Sequence, residues 1–418
     1  MALSPRGCRR LLDPGGHGVL PVSRPRGVTM KRITIAVLID ALAWDIVEAR
    51  GFLPELAHRR PLRTVLGFSS AALPSLLSGR HPDEHGRWFL YRRDPVESPF
   101  GFARLLAPFE GRGAIGRRVR TAYEKSFASL GGVRGYYNLY EVPLRYLPWF
   151  DLPERRPIFE PGALGRFPTL FDRLEERAIP HRVWFWRTPE ERNFDELLSA
   201  AGEGDEAFLF FYAFELDGTM HARGTESEET RSKLRAYEEA LRAALAAAAR
   251  RADEASLLVF SDHGMVDVVR AIDVRSRVLA LPFREGVDYL PFYDSTFARF
   301  WFRSQGAWAA IRDLLSGEEG GAWLAIEEEK RLRVHFPGRE YGDAIFVARP
   351  GTVIAPSFMG SAPPAAMHGY HPEGKGSDGV LLSTRPIPEA TRSILDLAAL
   401  LEKEAARTHG ETGNGDDR

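Results

Sequence analysis

The sequence predicts an α/β protein with a mostly parallel central sheet flanked by helices. Two observations lead to this class: apolar strands alternate with amphipathic helices along the chain, and the strands are almost continuously apolar. Strands of that composition are typical of parallel sheets whose two faces are both covered. With 418 residues, 44% of them apolar, the chain can bury a substantial core.

The elements expected in this architecture can be placed on particular segments. Three apolar segments are predicted to be buried strands: Ile33 to Ile39, Phe208 to Phe214 and Leu257 to Phe260. Three segments are predicted to be helices because they are rich in helix formers or begin with a capping residue: Ser69 to Ser78, Ser227 to Ala252 and Thr391 to Ala406. The first of these helices would have to accommodate Pro74 in its interior.

Residues 30–406 are predicted to form one domain with two insertions over the carboxyl ends of the strands, at about 87–205 and 266–366. Within the second insertion, strands are predicted at Ser295 to Phe302 and around Ala344 to Val347, and the charged run Glu327 to Arg331 is predicted to be solvent-exposed. Residues 1–29, which precede a start-like Met30, are predicted to be either a disordered extension or the result of a misassigned start codon, and residues 407–418 are predicted to be disordered because they are polar.

Composition excludes several classes of function. The 56 basic and 57 acidic residues nearly cancel, so bulk charge does not predict binding to a nucleic-acid polymer or a membrane surface. The single cysteine, Cys8, excludes an internal disulfide and a cysteine-based metal site. No apolar run is long enough for a transmembrane helix, and no clear secretory signal is present, so a cytoplasmic location is predicted.

Acidic and histidine side chains follow the predicted strands. They are Asp40 after the first strand, Asp217 and His221 after the second, Asp262 and His263 after the third, and His368 ahead of the apolar run Val380 to Leu382. Because ligands bind at the carboxyl ends of parallel strands, we expect these side chains to converge. Carboxylate and imidazole ligands suit Zn²⁺, with Mn²⁺ or Fe as alternatives, and six ligands suit two divalent ions roughly 3.5–4 Å apart.

Each of these residues also has a plain structural interpretation. Asp40, or the pair Asp262 and His263, could cap a helix, and Asp217 with His221 could form an ordinary helical side-chain pair. A nucleophile would come from the serines at the start of the helix Ser69 to Ser78, where exposed N–H groups favour a phosphate. Two divalent ions, three carboxylates and one serine alkoxide sum to a neutral site, which favours a monoanionic phosphodiester.

The order of these motifs resembles the alkaline phosphatase superfamily, and within it the type I phosphodiesterase/nucleotide pyrophosphatase family. The order is Asp40, a serine, Asp217-x-x-x-His221, Asp262-His263-Gly264-Met265 and His368-Gly369-Tyr370. The stretch Ser78 to Gly86 is similar to the family's Thr-Gly-x-x-Pro-x-x-His-Gly, and Gly342-Asp343 with Val347 and Pro350-Gly351 is similar to a later segment. The resemblance covers roughly residues 31–385 and implies an alkaline-phosphatase-like sheet.

The resemblance also implies a role for each site residue. Asp217, His221 and His368 would hold one zinc ion, whereas Asp40, Asp262 and His263 would hold the other. Counting back from Gly79 places the nucleophile, which would also touch the second ion, at Ser69, with the adjacent Ser70 as the alternative. The family's phosphodiesterases usually carry threonine at this position.

These features together predict a metal-dependent hydrolase that cleaves a small-molecule phosphodiester or related phosphoryl bond through a covalent seryl intermediate. A phosphomutase or phosphomonoesterase of the same superfamily is an alternative. A non-catalytic, metal-stabilised binding protein is an alternative from a different class. The natural substrate and the oligomeric state stay open, because the insertions that would decide them carry no readable motif.

Overall fold

The computed structural model describes residues 32–110, 113–130 and 132–410. The predictions for residues 1–29, Cys8 included, and for residues 411–418 lie outside the described residues. The strands are β1 (Arg32–Ile39), β2 (His58–Leu62), β3 (Arg92–Arg93), β4 (Phe150–Asp151), β5 (His181–Trp184), β6 (Phe208–Ala213), β7 (Glu254–Phe260), β8 (Val266–Asp267), β9 (Arg270–Ile272), β10 (Tyr289–Tyr293), β11 (Phe297–Phe302), β12 (Gly321–Trp323), β13 (Ala344–Ala348), β14 (Thr352–Ile354), β15 (Ala366–Met367) and β16 (Gly379–Ser383).

The helices cover the sheets or connect their strands. They are α1 (Trp44–Arg50), α2 (Ser69–Ser78), α3 (Pro82–His85), α4 (Ala103–Leu106), α5 (Gly113–Leu130), α6 (Leu170–Glu176), α7 (Glu190–Glu203), α8 (Glu215–Arg223), α9 (Glu228–Arg251), α10 (Val274–Leu279), α11 (Gln305–Ser316), α12 (Ile326–Arg331) and α13 (Leu397–Thr408). Short 3₁₀ turns lie at Ala107–Phe109, Leu147–Trp149 and Ile394–Asp396.

The main sheet has six strands in the order β2-β16-β7-β1-β6-β5. Strands β7, β1, β6 and β5 run parallel, whereas β16 is antiparallel to both of its neighbours, β7 and β2. The predicted fold class, a mostly parallel sheet flanked by helices, is confirmed.

Strand β1 shows why the central strands are apolar at almost every position. Its alternate side chains enter two different cores: Ala36 and Leu38 pack in one, whereas Ile35 and Val37 pack in the other. The first core includes Leu76 of α2, and the second includes residues of α7 and α9. Because both faces of the sheet are covered, a polar side chain in the middle of β1 would be buried on either face.

The predicted central strands and helices are confirmed to within three residues, except at the start of the closing helix. Helix α2 covers the predicted residues despite Pro74, and α9 begins after Ser227, whose side chain accepts a hydrogen bond from the N–H of Thr230. The closing helix was predicted to begin too early. A 3₁₀ turn, Ile394–Asp396, precedes α13, and the side chain of Ser393 caps that turn.

The two long stretches between the ligand-bearing strands differ in how they are built. The second contains a four-stranded sheet in the order β10-β11-β13-β12, in which all three strand pairs are antiparallel. The first contains α4, α5 and the β3–β4 pair, but its final part supplies β5 to the edge of the main sheet. The domain division itself stays a prediction.

The prediction that the charged run in α12 is solvent-exposed is wrong for one of its residues. Glu329 is buried, and its Oε2 lies 2.8 Å from both His335 Nδ1 and Arg339 Nη1. Two partners from the following loop therefore compensate the buried carboxylate. Among the residues that the structure describes, no helix has both the length and the apolar character needed to cross a membrane.

Candidate metal centre

The predicted metal ligands converge at the carboxyl edge of the parallel strands. Asp40 directly follows β1, and Asp262 and His263 follow β7 after Ser261. Asp217 lies in the first turn of α8, which begins two residues after β6 ends. His368 reaches the same edge because it directly follows β15, whose Met367 pairs with Val266 of β8, three residues after His263. Residues that are far apart in sequence thus form one site.

One group of three ligands, here called the buried cluster, consists of Asp40, Asp262 and His263. Their ligand atoms lie within 4.8 Å of one another, and all three residues are buried. His263 Nε2 is 3.2 Å from Asp262 Oδ2 and 3.5 Å from Asp40 Oδ1. Two hydrogen bonds hold Asp262 in place: its Oδ1 accepts the backbone N–H of Ala41, and its backbone carbonyl accepts the side-chain hydroxyl of Thr64.

The other group, here called the open cluster, consists of Asp217, His221 and His368. Asp217 Oδ1 lies 3.1 Å from His221 Nε2 and 3.4 Å from His368 Nε2. The side chains of Asp217 and His221 are 23% and 26% exposed, so this cluster reaches the surface. The imidazole rings of His263 and His368 stack with their centroids 3.9 Å apart, which places the two clusters side by side.

The hydrogen bonds of two histidines fix which ring nitrogen faces the site. His221 Nδ1 lies 2.8 Å from the carbonyl of Ala366, and His263 Nδ1 lies 3.0 Å from the carbonyl of Gly264. A carbonyl oxygen only accepts, so each Nδ1 carries the proton and donates. In the neutral rings, the lone pairs of both Nε2 atoms therefore point at carboxylate oxygens of the site.

The electrostatics of the two clusters differ. In the buried cluster, burial and the charges of the other two site carboxylates raise the pKa of Asp40 well above its usual range, and burial likewise raises the pKa of Asp262. In the open cluster, burial would raise the pKa of Asp217, but His221 and His368 hold it below its usual range. Burial and the nearby His263 hold the pKa of His368 well below its usual range, which keeps that imidazole neutral.

The arrangement fits divalent cations. The buried oxygens Asp40 Oδ1, Asp217 Oδ1 and Asp262 Oδ2 have no hydrogen-bond partner among the described residues, although unpaired buried carboxylate oxygens are costly. Among the described residues, the three carboxylates form ion pairs only with histidines of the two clusters. Carboxylate oxygens and imidazole lone pairs that converge in this way are the donor set of Zn²⁺ and related ions.

The two serines at the start of α2 point in different directions. Ser69 Oγ lies 2.9 Å from His263 Nε2, whose lone pair can accept a hydrogen bond from the hydroxyl group. Ser70 Oγ instead donates to the carbonyl of Trp88 at 3.0 Å. The preceding Phe68 is extended, and its ring packs edge-on against His368, so the chain enters the helix directly beside the two clusters.

The structure also reveals residues that the sequence analysis did not single out. Tyr212, in β6, donates a hydrogen bond to Asp40 Oδ2, and this leaves Oδ1 directed at His263. Thr64 supports the backbone of Asp262, as described above. Neither residue carries a motif: Tyr212 is one aromatic among many in an apolar strand, and Thr64 is a lone residue after β2. Only the pairing of β1 with β6, which aligns Ile39 with Ala213, brings Tyr212 to Asp40.

Comparison with known proteins agrees with this site. The model of the family "Type I phosphodiesterase / nucleotide pyrophosphatase" matches residues 168–371. This segment contains five of the seven predicted site residues: Asp217, His221, Asp262, His263 and His368. Asp40 and Ser69 precede it. No curated protein matches the sequence significantly.

Solved structures of similar fold include murine and human ectonucleotide pyrophosphatase/phosphodiesterase 5. The murine protein is 14% identical with a TM-score of 0.62, and the match covers 92% of this chain and 97% of that one. The human protein is 12% identical with a TM-score of 0.62, covering 90% of this chain and 95% of that one. An inactive form of the murine protein in complex with AMP is 15% identical with a TM-score of 0.60, covering 92% and 97%.

Identities this low establish the fold alone, whereas the family model matches the stretch that carries most of the ligand motifs. The order of the motifs, their convergence at one edge of the sheet and the family match agree with one another. Over residues 168–371, just under half of its length, the chain accordingly matches the type I phosphodiesterase/nucleotide pyrophosphatase family, and this match together with the fold supports a phosphoric ester hydrolase.

Proposed function

We propose that the protein hydrolyses phosphodiester or related phosphoryl bonds on two divalent metal ions, with Ser69 as the nucleophile. One observation carries the proposal: Ser69 Oγ lies 2.9 Å from His263 Nε2, at a helix N-terminus beside two groups of three converging metal ligands. Ser70 is the weaker candidate, because its hydroxyl is bonded to the carbonyl of Trp88.

The open cluster would hold one ion and the buried cluster the other, with Ser69 Oγ touching the second. Zinc suits the mixed carboxylate and imidazole donors best, and manganese or iron are the alternatives. When bound, such ions lower the pKa of a serine hydroxyl and neutralise charge on the phosphoryl group.

The residues of the chain would carry out a two-step displacement. Ser69 Oγ, after losing its proton to water, forms a bond to phosphorus while the bond to the leaving oxygen breaks, and that oxygen takes up a proton from solvent. Water then attacks the phosphorus of the phosphoseryl group from the side opposite Oγ. The bond between phosphorus and Oγ breaks, and Ser69 takes up the proton that the attacking water loses. The N-terminus of α2, where Ser69 is the first residue, favours the negative charge of the phosphoryl group.

The charge balance favours a diester. Two divalent ions offset the three site carboxylates and one serine alkoxide, so a monoanionic substrate enters a nearly neutral site. The murine protein of similar fold that was solved with AMP supports a small phosphoryl compound of nucleotide size as the substrate class.

The test compares hydrolysis of bis-p-nitrophenyl phosphate with that of p-nitrophenyl phosphate by zinc-loaded protein. We expect the diester to be preferred, Ser69→Ala to abolish turnover, and Ser70→Ala, the matched control on the same helix turn, to retain most of it. Preference for the monoester would instead support a phosphatase or phosphomutase. Full activity in Ser69→Ala would contradict the seryl intermediate, and inertness of the metal-loaded protein towards both esters would favour a binding role.

A further inference from the structure

Helix α8 carries two ligands of the open cluster but lacks a capping side chain of its own. Asp217 and His221 lie on this nine-residue helix, and the residue before it, Phe214, makes no side-chain cap. The first backbone N–H groups of a helix need acceptors, and a short helix without them frays. The position of Asp217, in the first turn of α8, therefore depends on what holds that end.

The missing acceptor comes from a different helix. Glu190, the first residue of α7, accepts the backbone N–H of Glu215, the first residue of α8, with its Oε2 at 2.9 Å. Glu190 is only 1% exposed, and its location 25 residues earlier in the chain gives no local sign of this contact. A carboxylate at this point also interacts favourably with the positive end of the helix dipole of α8.

The carboxylate of Glu190 is itself held in place from α9. Its Oε1 accepts the hydroxyl of Tyr237 at 2.7 Å and lies 3.1 Å from Lys233 Nζ. Lys233 Nζ in turn lies 2.8 Å from Oε2 of Glu215. Both carboxylate oxygens of Glu190 are thus satisfied, and a single lysine bridges it to the residue whose N–H it caps.

We propose that Glu190 is a positioning residue for the metal ion of the open cluster. It fixes the first turn of α8 and thereby the direction of Asp217, while the other end of the ligand pair is fixed independently by the hydrogen bond from His221 to Ala366. The buried cluster, which lies on the ends of β1 and β7, does not depend on α8. This inference rests on the proposed two-ion site.

The consequence is a selective effect on one of two metal-binding steps. Glu190→Gln keeps an oxygen that can accept the N–H of Glu215, but its amide group cannot accept from Tyr237 and would face Lys233. We expect Glu190→Gln to weaken one metal-binding step by about 10–100-fold, the range for residues that orient metal ligands. This should be the same step that Asp217→Asn weakens. The other binding step stays unchanged, and raised metal concentration restores activity.

The experiment is a titration of the metal-free protein with Co²⁺ against a chromophoric chelator, with thermal unfolding as a parallel measurement. Glu191→Gln is the matched control because it removes the same charge from the next, exposed residue of α7. Glu190→Asp keeps the charge but draws the carboxylate back, so we expect it to fall between Glu190→Gln and the native protein.

Two unchanged binding steps in Glu190→Gln, with only a lower unfolding temperature, would reduce Glu190 to a structural residue and overturn the inference. Equal weakening of both steps in a folded variant would overturn it as well. If Glu190→Gln fails to fold, Tyr237→Phe, which removes one hydrogen bond and no charge, must still weaken the same single step. Native protein that binds fewer than two ions would instead refute the proposed function, independently of any variant.

Discussion

The buried cluster and the open cluster use the same ligand types, but the chain supports them differently. The buried cluster combines two carboxylates with one histidine at the ends of central strands, and Asp262 is completely buried. The open cluster combines one carboxylate with two histidines on a short helix and a loop, and its Asp217 is 23% exposed.

Charge explains what this difference means. Two buried carboxylates beside one imidazole repel each other unless a cation lies between them or one of them takes up a proton, so the proposed ion would stabilise the buried cluster. In the open cluster, a protonated His221 can neutralise Asp217 without a metal. Burial lowers the pKa of His221, but Asp217 and the hydrogen bond to Ala366 together raise it above its usual value. Metal binding in the open cluster would have to compete with protons and with solvent. The ion proposed for the open cluster should therefore dissociate more readily than the ion proposed for the buried cluster.

The largest expected effect is the loss of a ligand from the buried cluster. Asp262→Asn removes a charge that water cannot replace at a fully buried position, so we expect kcat/KM for a diester to fall by at least about 10³-fold, the equivalent of several kcal/mol of transition-state stabilisation. Added metal should not restore activity. Steady-state kinetics at rising Zn²⁺ concentration measure both points, and recovery at high Zn²⁺ would remove the distinction between the clusters.

The same substitution in the open cluster should be milder. Asp217→Asn leaves His221 and His368 in place at a solvent-accessible position. We therefore expect a loss at limiting metal of at least about 10–100-fold, the range for residues that only orient a ligand, and excess metal should largely reverse it. The measurement is the same kinetic series, together with metal content after dialysis. A loss as large and as irreversible as that of Asp262→Asn would contradict the comparison.

A third prediction concerns the stability of the metal-free protein. Asp40→Asn should raise its free energy of unfolding by about 1–3 kcal/mol, because a buried carboxylate without a full set of partners is replaced by a neutral group. Asp217→Asn, which breaks the pair with His221, should lower it. Urea unfolding in the presence of a chelator measures both, and destabilisation by Asp40→Asn would show that the buried cluster is satisfied without an ion.

The effect of Asp40→Asn on the free energy of unfolding should depend on pH. In the metal-free protein the pKa of Asp40 is raised by burial and by neighbouring carboxylates. The destabilisation is therefore absent below the unfolded pKa, about 3.9, and grows as pH rises toward the folded value. The pKa of Asp217 is lowered, so its contribution is present above the unfolded pKa and is lost as pH falls. The advantage of Asp40→Asn over the native protein should thus increase with pH.

The smallest expected effect comes from a residue that contacts a ligand but not the metal. Tyr212→Phe removes the hydrogen bond to Asp40 Oδ2, so Asp40 is less firmly oriented, and we expect kcat/KM to fall by up to about tenfold, or roughly 1 kcal/mol. Tyr293→Phe is the matched control, because it is a buried tyrosine whose hydroxyl has no hydrogen-bond partner among the described residues. Equal losses in the two variants would show that only packing is affected.

Much of the fold could be predicted because the physical signals are local. The apolar pattern of β1 reports that both of its faces are covered, and the helix formers between Ser227 and Ala252 report α9. The start of α13 was missed because Ser393 caps a 3₁₀ turn that sequence does not distinguish from a helix. Glu329 was misplaced because its partners, His335 and Arg339, come from a loop that follows the helix.

The sequence by itself determined the inventory of the site: which carboxylates and imidazoles follow apolar strands, and in what order. Tertiary structure alone decided the rest. The antiparallel pairing of β15 with β8 brings His368 to the site. Ser70 donates to the carbonyl of Trp88, whereas Ser69 contacts His263. Glu190 reaches α8 because α7 and α8 begin at the same edge of the sheet. Ligand type depends on local chemistry, whereas orientation depends on contacts between segments that are distant in sequence.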